Sequence, residues 1–212
     1  MRAPLPLCAT LLALAPGMRA QQRPTVSFAG TAAFVWVRSD TAGGAVRLRG
    51  PVLAGEGRLA LGRVALAAGL LEGRLNPLAA AAAPRDLVEA RIAVAARPLP
   101  WLEVAAGPVV RAYVADAVTE RWMFWQARAR ADAPIVAARL ASYVELCRAL
   151  SSRLNLARPA GRMQGGEAGL VYRPPQGAWW VRMAYRVDDA AFSVGGSETL
   201  EAISLTVGVG GW

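Results

Sequence analysis

Charged residues recur at every second position in short segments otherwise built of Ala, Val, Leu and Gly: Glu56 and Arg58, Glu72 and Arg74, Glu89 and Arg91, Arg128 and Arg130. Side chains two apart share one face of a β-strand, whereas a helix would spread them around its surface. The chain is therefore expected to form strands with one charged face and one apolar face.

Ten such segments can be marked, at 25–38, 52–61, 63–75, 87–97, 101–114, 121–132, 135–149, 166–173, 179–190 and 199–211. Their connections alternate in length. Gly62 with Arg63 suits a two-residue hairpin, and the Pro98, Leu99, Pro100 run, Ala133 with Pro134, and the stretch Pro174, Pro175, Gln176, Gly177 are equally tight. The intervening connections, 39–51, 76–86, 115–120, 150–165 and 191–198, are longer and rich in loop formers. Short turns on one side and long loops on the other are what an antiparallel up-and-down barrel with an even strand number produces, with both termini on the side of the short turns. Ten strands are expected, with eight as the alternative. The first segment carries few charges, and in the third an inward Glu72 and Arg74 would also bring Leu66 and Leu70 inside unless a bulge restores the phase. Pro108, which cannot donate to a ladder, predicts a bulge or local break in the fifth segment.

Parity alone does not say which face is outside, because a lipocalin-like soluble barrel has an apolar interior and a charged exterior. Three features favour the membrane arrangement. Arg2, the apolar run 5–15 and the small residue Ala20 have the layout of a signal peptide over 1–20, leaving a single domain over 21–212. The mean hydropathy is +0.31, yet outside that leader no apolar run reaches the length of a transmembrane helix. Aromatic residues gather near segment ends, at Phe34 and Trp36, Trp101, Tyr113, Trp122 to Trp125, Trp179 and Trp180, and Trp212, as in the interfacial girdles of membrane barrels. Cleavage would leave Cys147 as the one cysteine, so no disulfide holds the fold together and closure of the sheet must. The net charge of +9 raises the question of nucleic acid, but the arginines are spread singly along strands in an exported chain, which argues against it.

The last thirteen or so residues carry a resemblance. Ile203, Leu205, Val207 and Val209 alternate along a strand that ends in the aromatic Trp212. This resembles the C-terminal signal of the bacterial outer-membrane β-barrel superfamily, and the pattern extends over the whole mature chain. Trp212 lies on the opposite parity, so Gly210 and Gly211 are expected to form a bulge. The resemblance implies a porin-like protein of a Gram-negative outer membrane, insertion by the barrel assembly machinery with Trp212 as assembly signal, periplasmic termini, and contacts with outer-membrane lipid and lipopolysaccharide by a monomer.

Catalytic chemistry is sparse. The chain has no histidine and all its basic residues are arginine. Omptin-type proteases, outer-membrane phospholipases, lipid A deacylases and palmitoyl transferases use a histidine as base or orienting group, so their mechanisms do not transfer. A Ser-Lys dyad is excluded too. Asp188 with Asp189, and Asp116 with Glu120, read as solvated loop carboxylates rather than a calcium site, so no metal and no cofactor are expected. Parity directs into the lumen Glu56, Arg58, Glu72, Arg74, Glu89, Arg91, Arg97, Glu103, Arg111, Gln126, Arg128, Arg130, Asp132, Arg139, Tyr143, Glu145, Glu167, Arg173, Arg182 and Arg186. Residues of both signs can neutralise one another across strands, so a packed, salt-bridged core is expected over a weakly anion-selective pore. Arg153, Arg158 and Arg162 form a basic cluster in the longest loop, which would meet lipopolysaccharide phosphates or another acidic ligand in an adhesin-like surface role, with lipid-headgroup contacts the better supported reading.

Overall fold

The structure, a computed structural model, describes residues 23–41, 44–79, 82–115, 119–136, 139–154, 160–193 and 195–210. Its elements are β1 (Thr25–Thr41), β2 (Gly44–Leu61), β3 (Val64–Pro77), β4 (Arg85–Leu99), β5 (Leu102–Val114), β6 (Thr119–Val136), β7 (Leu140–Leu154), β8 (Ala160–Tyr172), β9 (Trp179–Phe192) and β10 (Ser197–Gly210). Every strand pairs antiparallel with its chain neighbours, and β1 pairs with β10, closing a ten-stranded barrel. No helix occurs among the described residues. The expectation of ten strands holds, and the eight-stranded alternative does not.

The strands are longer than the sequence pattern suggests. β2 and β6 reach 18 residues, where about 9–11 suffice to cross a bilayer. Most of the expected connections 39–51 and 150–165 are strand, because the ladder keeps satisfying backbone groups beyond the apolar belt. The expected turn at Ala133 and Pro134 lies further on, since β6 continues to Val136 with a register shift after Pro134. Around Pro108 the β4–β5 pairing lapses opposite Gly107 and Pro108 and resumes in the same register, a local break without a bulge. Gly107 is needed there: a Cβ would come within 1.9 Å of the Ile92 carbonyl oxygen. At the other glycine singled out from the sequence, Gly210 adopts φ 89, left-handed backbone suited to the end of β10. Gly211 and Trp212, like residues 1–20, where a signal peptide is expected, lie outside the described residues.

One end of the barrel, the turn end, holds the β2–β3, β4–β5, β6–β7 and β8–β9 connections; the other, the loop end, holds the remaining five. Leu53, Leu66, Leu70, Ile92, Val94, Leu146, Met183, Ile203, Leu205 and Val207 face outward and are exposed, an apolar wall that only lipid can cover over such an area. Phe28, Trp101, Tyr172 and Trp179 mark this wall toward the turn end, and Phe34, Trp36 and Trp125 toward the loop end. The aromatic residues are thus divided. Tyr113, Trp122, Phe124 and Trp180, expected in the girdles, are buried in the interior.

Candidate functional site in the barrel lumen

Each strand sends alternate side chains into the lumen, and the pleat stacks them in layers. The layer nearest the loop end is apolar. Val35, Val37, Leu48, Val52, Leu75, Leu87, Val109, Tyr113, Trp122, Phe124, Phe192 and Leu200 form a continuous buried cluster. Polar groups within this layer are satisfied locally: the Tyr113 hydroxyl donates to Glu198 at 2.8 Å and Trp122 Nε1 donates to Glu120 at 3.1 Å.

Beneath it lies a closed ring of four charges. Arg111 reaches Glu89 at 2.6 Å and Asp188 at 2.5 Å, while Arg186 reaches Glu89 at 3.2 Å and Asp188 at 2.6 Å. The sequence places these residues on β4, β5 and β9 at inward parity, and closure of the barrel brings β9 across to the other two. Asp188 was read from sequence as a loop carboxylate paired with Asp189. It points inward and is buried, whereas Asp189 is exposed on the outer wall. The spacing of Arg186 and Asp188 carried the signal, being the same two-residue repeat seen elsewhere.

Further toward the turn end the pairs loosen. Arg91 donates to Glu56, Arg128 lies 3.5 Å from Glu145, and Arg182 lies 4.0 Å from Glu167, which also accepts the Tyr143 hydroxyl at 2.5 Å. Arg58 makes a two-point contact with Glu103 at 2.9 and 2.7 Å, and Arg97 shares the same carboxylate at 3.1 Å. Arg130 stacks 3.8 Å from the centre of the Tyr143 ring and bonds Asp132 at 2.8 Å. Most of these side chains line a vestibule with a free volume of about 80 Å³, open to solvent, whose walls include Arg58, Arg97, Arg128, Arg130 and Arg182.

Four of the residues assigned to the lumen from sequence are placed differently. Glu72 and Arg74 lie exposed on the outer wall. β3 keeps one register along β2 and β4, with Ala65, Ala67, Gly69, Leu71 and Leu75 inside, so no bulge reverses its phase. Arg139 is exposed in the β6–β7 connection. Arg173 sits just past β8 at the turn-end rim, half-buried. The other sixteen, from Glu56 to Arg186 and including Gln126, are inward and buried or half-buried. Of the supposed loop cluster, Arg153 and Arg162 are exposed on strands β7 and β8, and Arg158 lies outside the described residues; of the carboxylates Asp116 and Glu120, read together as loop residues, Asp116 lies outside the described residues and Glu120 is on β6. Cys147 is a half-buried free thiol, and no group of metal-ligating side chains occurs among the described residues.

No protein-family model matches the sequence, and no curated protein does. The fold does match solved structures. The COG4313 outer membrane channel from Pseudomonas putida F1 superposes with a TM-score of 0.55 at 10% identity, covering 93% of this chain and 100% of that one. The outer membrane protease OmpT from Escherichia coli superposes with a TM-score of 0.52 at 9% identity, covering 88% of this chain and 95% of that one. A channel and a protease on one scaffold show that the likeness speaks to architecture and not to activity. Closed on itself, apolar outside and charged within, the chain has the fold of the bacterial outer-membrane β-barrels.

Proposed function

We propose that the mature chain, from Gln21 after a 1–20 leader, is a monomeric, non-enzymatic integral barrel of the outer membrane with a closed lumen, acting structurally or through its loop end. The observation that carries this is the stacking of two seals: the apolar cluster around Trp122 lies directly above the Arg111, Glu89, Arg186 and Asp188 ring. Ions crossing the lumen would have to displace both. Reconstituted protein in planar bilayers is expected to show no steady single-channel current. Stable currents whose selectivity shifts on Arg128→Ala or Arg130→Ala would favour the second reading, a weakly anion-selective pore, which draws support from the arginines lining the vestibule.

Orientation follows the usual arrangement of such barrels, with short turns and both termini in the periplasm and the longer connections outside. Insertion would then depend on the barrel assembly machinery and on Trp212. An epitope inserted at residue 158 should be labelled on intact cells, and one at residue 176 only after permeabilisation. The reverse pattern would invert the barrel.

A further inference from the structure

The formal charge of +9 is not spread evenly over the molecule. In the ring, Glu89 and Asp188 balance Arg111 and Arg186, and in the layer below it Glu56, Glu145 and Glu167 balance Arg91, Arg128 and Arg182. The mouth at the turn end is different. Arg58 and Arg97 both draw on Glu103, at 2.7 and 3.1 Å, while Arg130, which stands opposite Glu103 on the neighbouring strand, bonds Asp132 at 2.8 Å. Arg173, at the rim just past β8, has no ion pair among the described residues, and its Nε is buried without a hydrogen-bond partner. Burial holds the Arg173 pKa below its ordinary value; Asp132 opposes this, and the nearby Arg130 and Arg97 add to it. Around this group Arg23, Arg63 and Arg139 are exposed at the same end, and no Asp or Glu lies in a turn-end connection among the described residues. A guanidinium does not lose its proton in a protein, so the excess has to be met by an anion from outside.

Arg58, Arg97 and Arg130 also line the vestibule, which is open to solvent and has a free volume of about 80 Å³. That is room for a handful of water molecules, hence for one small ion. We infer that the turn-end mouth binds a phosphate group, with Arg97, Arg130 and Arg173 as its principal donors. A phosphate dianion matches the two positive charges left when Glu103 and Asp132 are set against Arg58, Arg97, Arg130 and Arg173. Its oxygens accept planar pairs of guanidinium donors, and the orphaned Arg173 Nε gains an acceptor. Arg23, Arg63 and Arg139 draw anions toward the opening. The site deepens the closed-lumen reading and rests on it in one respect: with both seals shut the vestibule is a blind pocket, which holds the ion and does not pass it.

The test uses the full chain folded in micelles of a nonionic detergent, under mildly alkaline conditions where phosphate is a dianion. Equilibrium dialysis against radiolabelled inorganic phosphate reads binding. Arg173→Gln, which breaks no ion pair of the barrel, should weaken binding about tenfold, the loss of one charge-assisted bond, and Arg97→Gln/Arg173→Gln should weaken it further. Heat-modifiable mobility checks that both variants fold. Arg153→Gln/Arg162→Gln, toward the loop end, should bind as the parent does. Glycerol 3-phosphate separates two sources of the group: competition equal to that of unlabelled phosphate assigns the end of a monoester, and no competition assigns the free ion. Absence of saturable binding, unchanged binding by Arg173→Gln, or displacement by an equal concentration of chloride overturns the inference. Planar bilayers report the closed lumen separately. Steady current with phosphate bound would overturn the closure and keep the site, whereas no binding and no current would remove the site and keep the closure.

Discussion

Glu89→Gln is expected to lower the unfolding free energy of the barrel by about 3 kcal/mol, within the range for stripping one partner from a buried ion cluster. Glu89 and Asp188 balance Arg111 and Arg186 one for one, and the Arg111, Glu89 and Asp188 side chains are only 2%, 6% and 3% exposed. With Glu89 neutral, two guanidinium groups share one carboxylate, and only Arg186, 20% exposed, has some access to water to compensate. The cost is therefore the price of an uncompensated charge and not the worth of a single contact. Restoring the balance should restore stability: Glu89→Gln/Arg186→Gln should recover part of the loss. Urea titration of folded protein in lipid vesicles measures both, and added salt should change little because buried pairs are poorly screened. A loss below about 1 kcal/mol, the level of exposed pairs, would mean that water fills this layer.

The position of that ring also explains which parts of the lumen were legible in the sequence. Within the bilayer the solvent outside is apolar, so charge can only point inward, and parity is a code that a reader can use. Glu56, Arg58, Glu89, Arg91, Glu103, Arg111, Arg128 and Arg130 all obey it. Nearer the loop end the surroundings become polar and the code inverts. There Arg38, Arg47, Arg49, Glu72 and Arg74 face out, while Leu75, Leu87, Tyr113 and Trp122 fill the interior as in a soluble domain. β3 crosses this boundary, so its two charges misassign the strand. Side-chain size was the better guide: its inner face offers Ala65, Ala67 and Gly69, and a Cβ on Gly69 would lie 3.1 Å from Arg91 Nε. A narrow barrel filled with arginines needs small residues beside them. The same inversion sent Tyr113, Trp122 and Phe124 into the core while Trp125 and Phe34 remained on the wall. Aromatic residues tolerate both settings, which is why their clustering near strand ends does not say which way they point.

Trp122 and Trp125 lie three residues apart on β6 and face opposite sides, so replacing each by alanine tests the inversion directly. Trp122 is 1% exposed, and its ring lies 5.4 Å from Phe192 at 40°. Trp122→Ala removes the largest side chain of the upper seal and leaves a cavity that strands locked in a closed ladder cannot collapse to fill. It should cost about 3–5 kcal/mol and leave Glu120 without its indole donor. Trp125 is 54% exposed on the wall, and lipid replaces most of what its ring touches, so Trp125→Ala should cost about 1 kcal/mol or less. Equal losses, or a larger loss at Trp125, would put the apolar cluster on the wrong side of the sheet. The two seals also make different predictions for conduction. Trp122→Ala should destabilise the barrel and still carry no steady current, because the Arg111 ring beneath it remains intact; a current from this single change would show that the apolar layer alone closes the lumen.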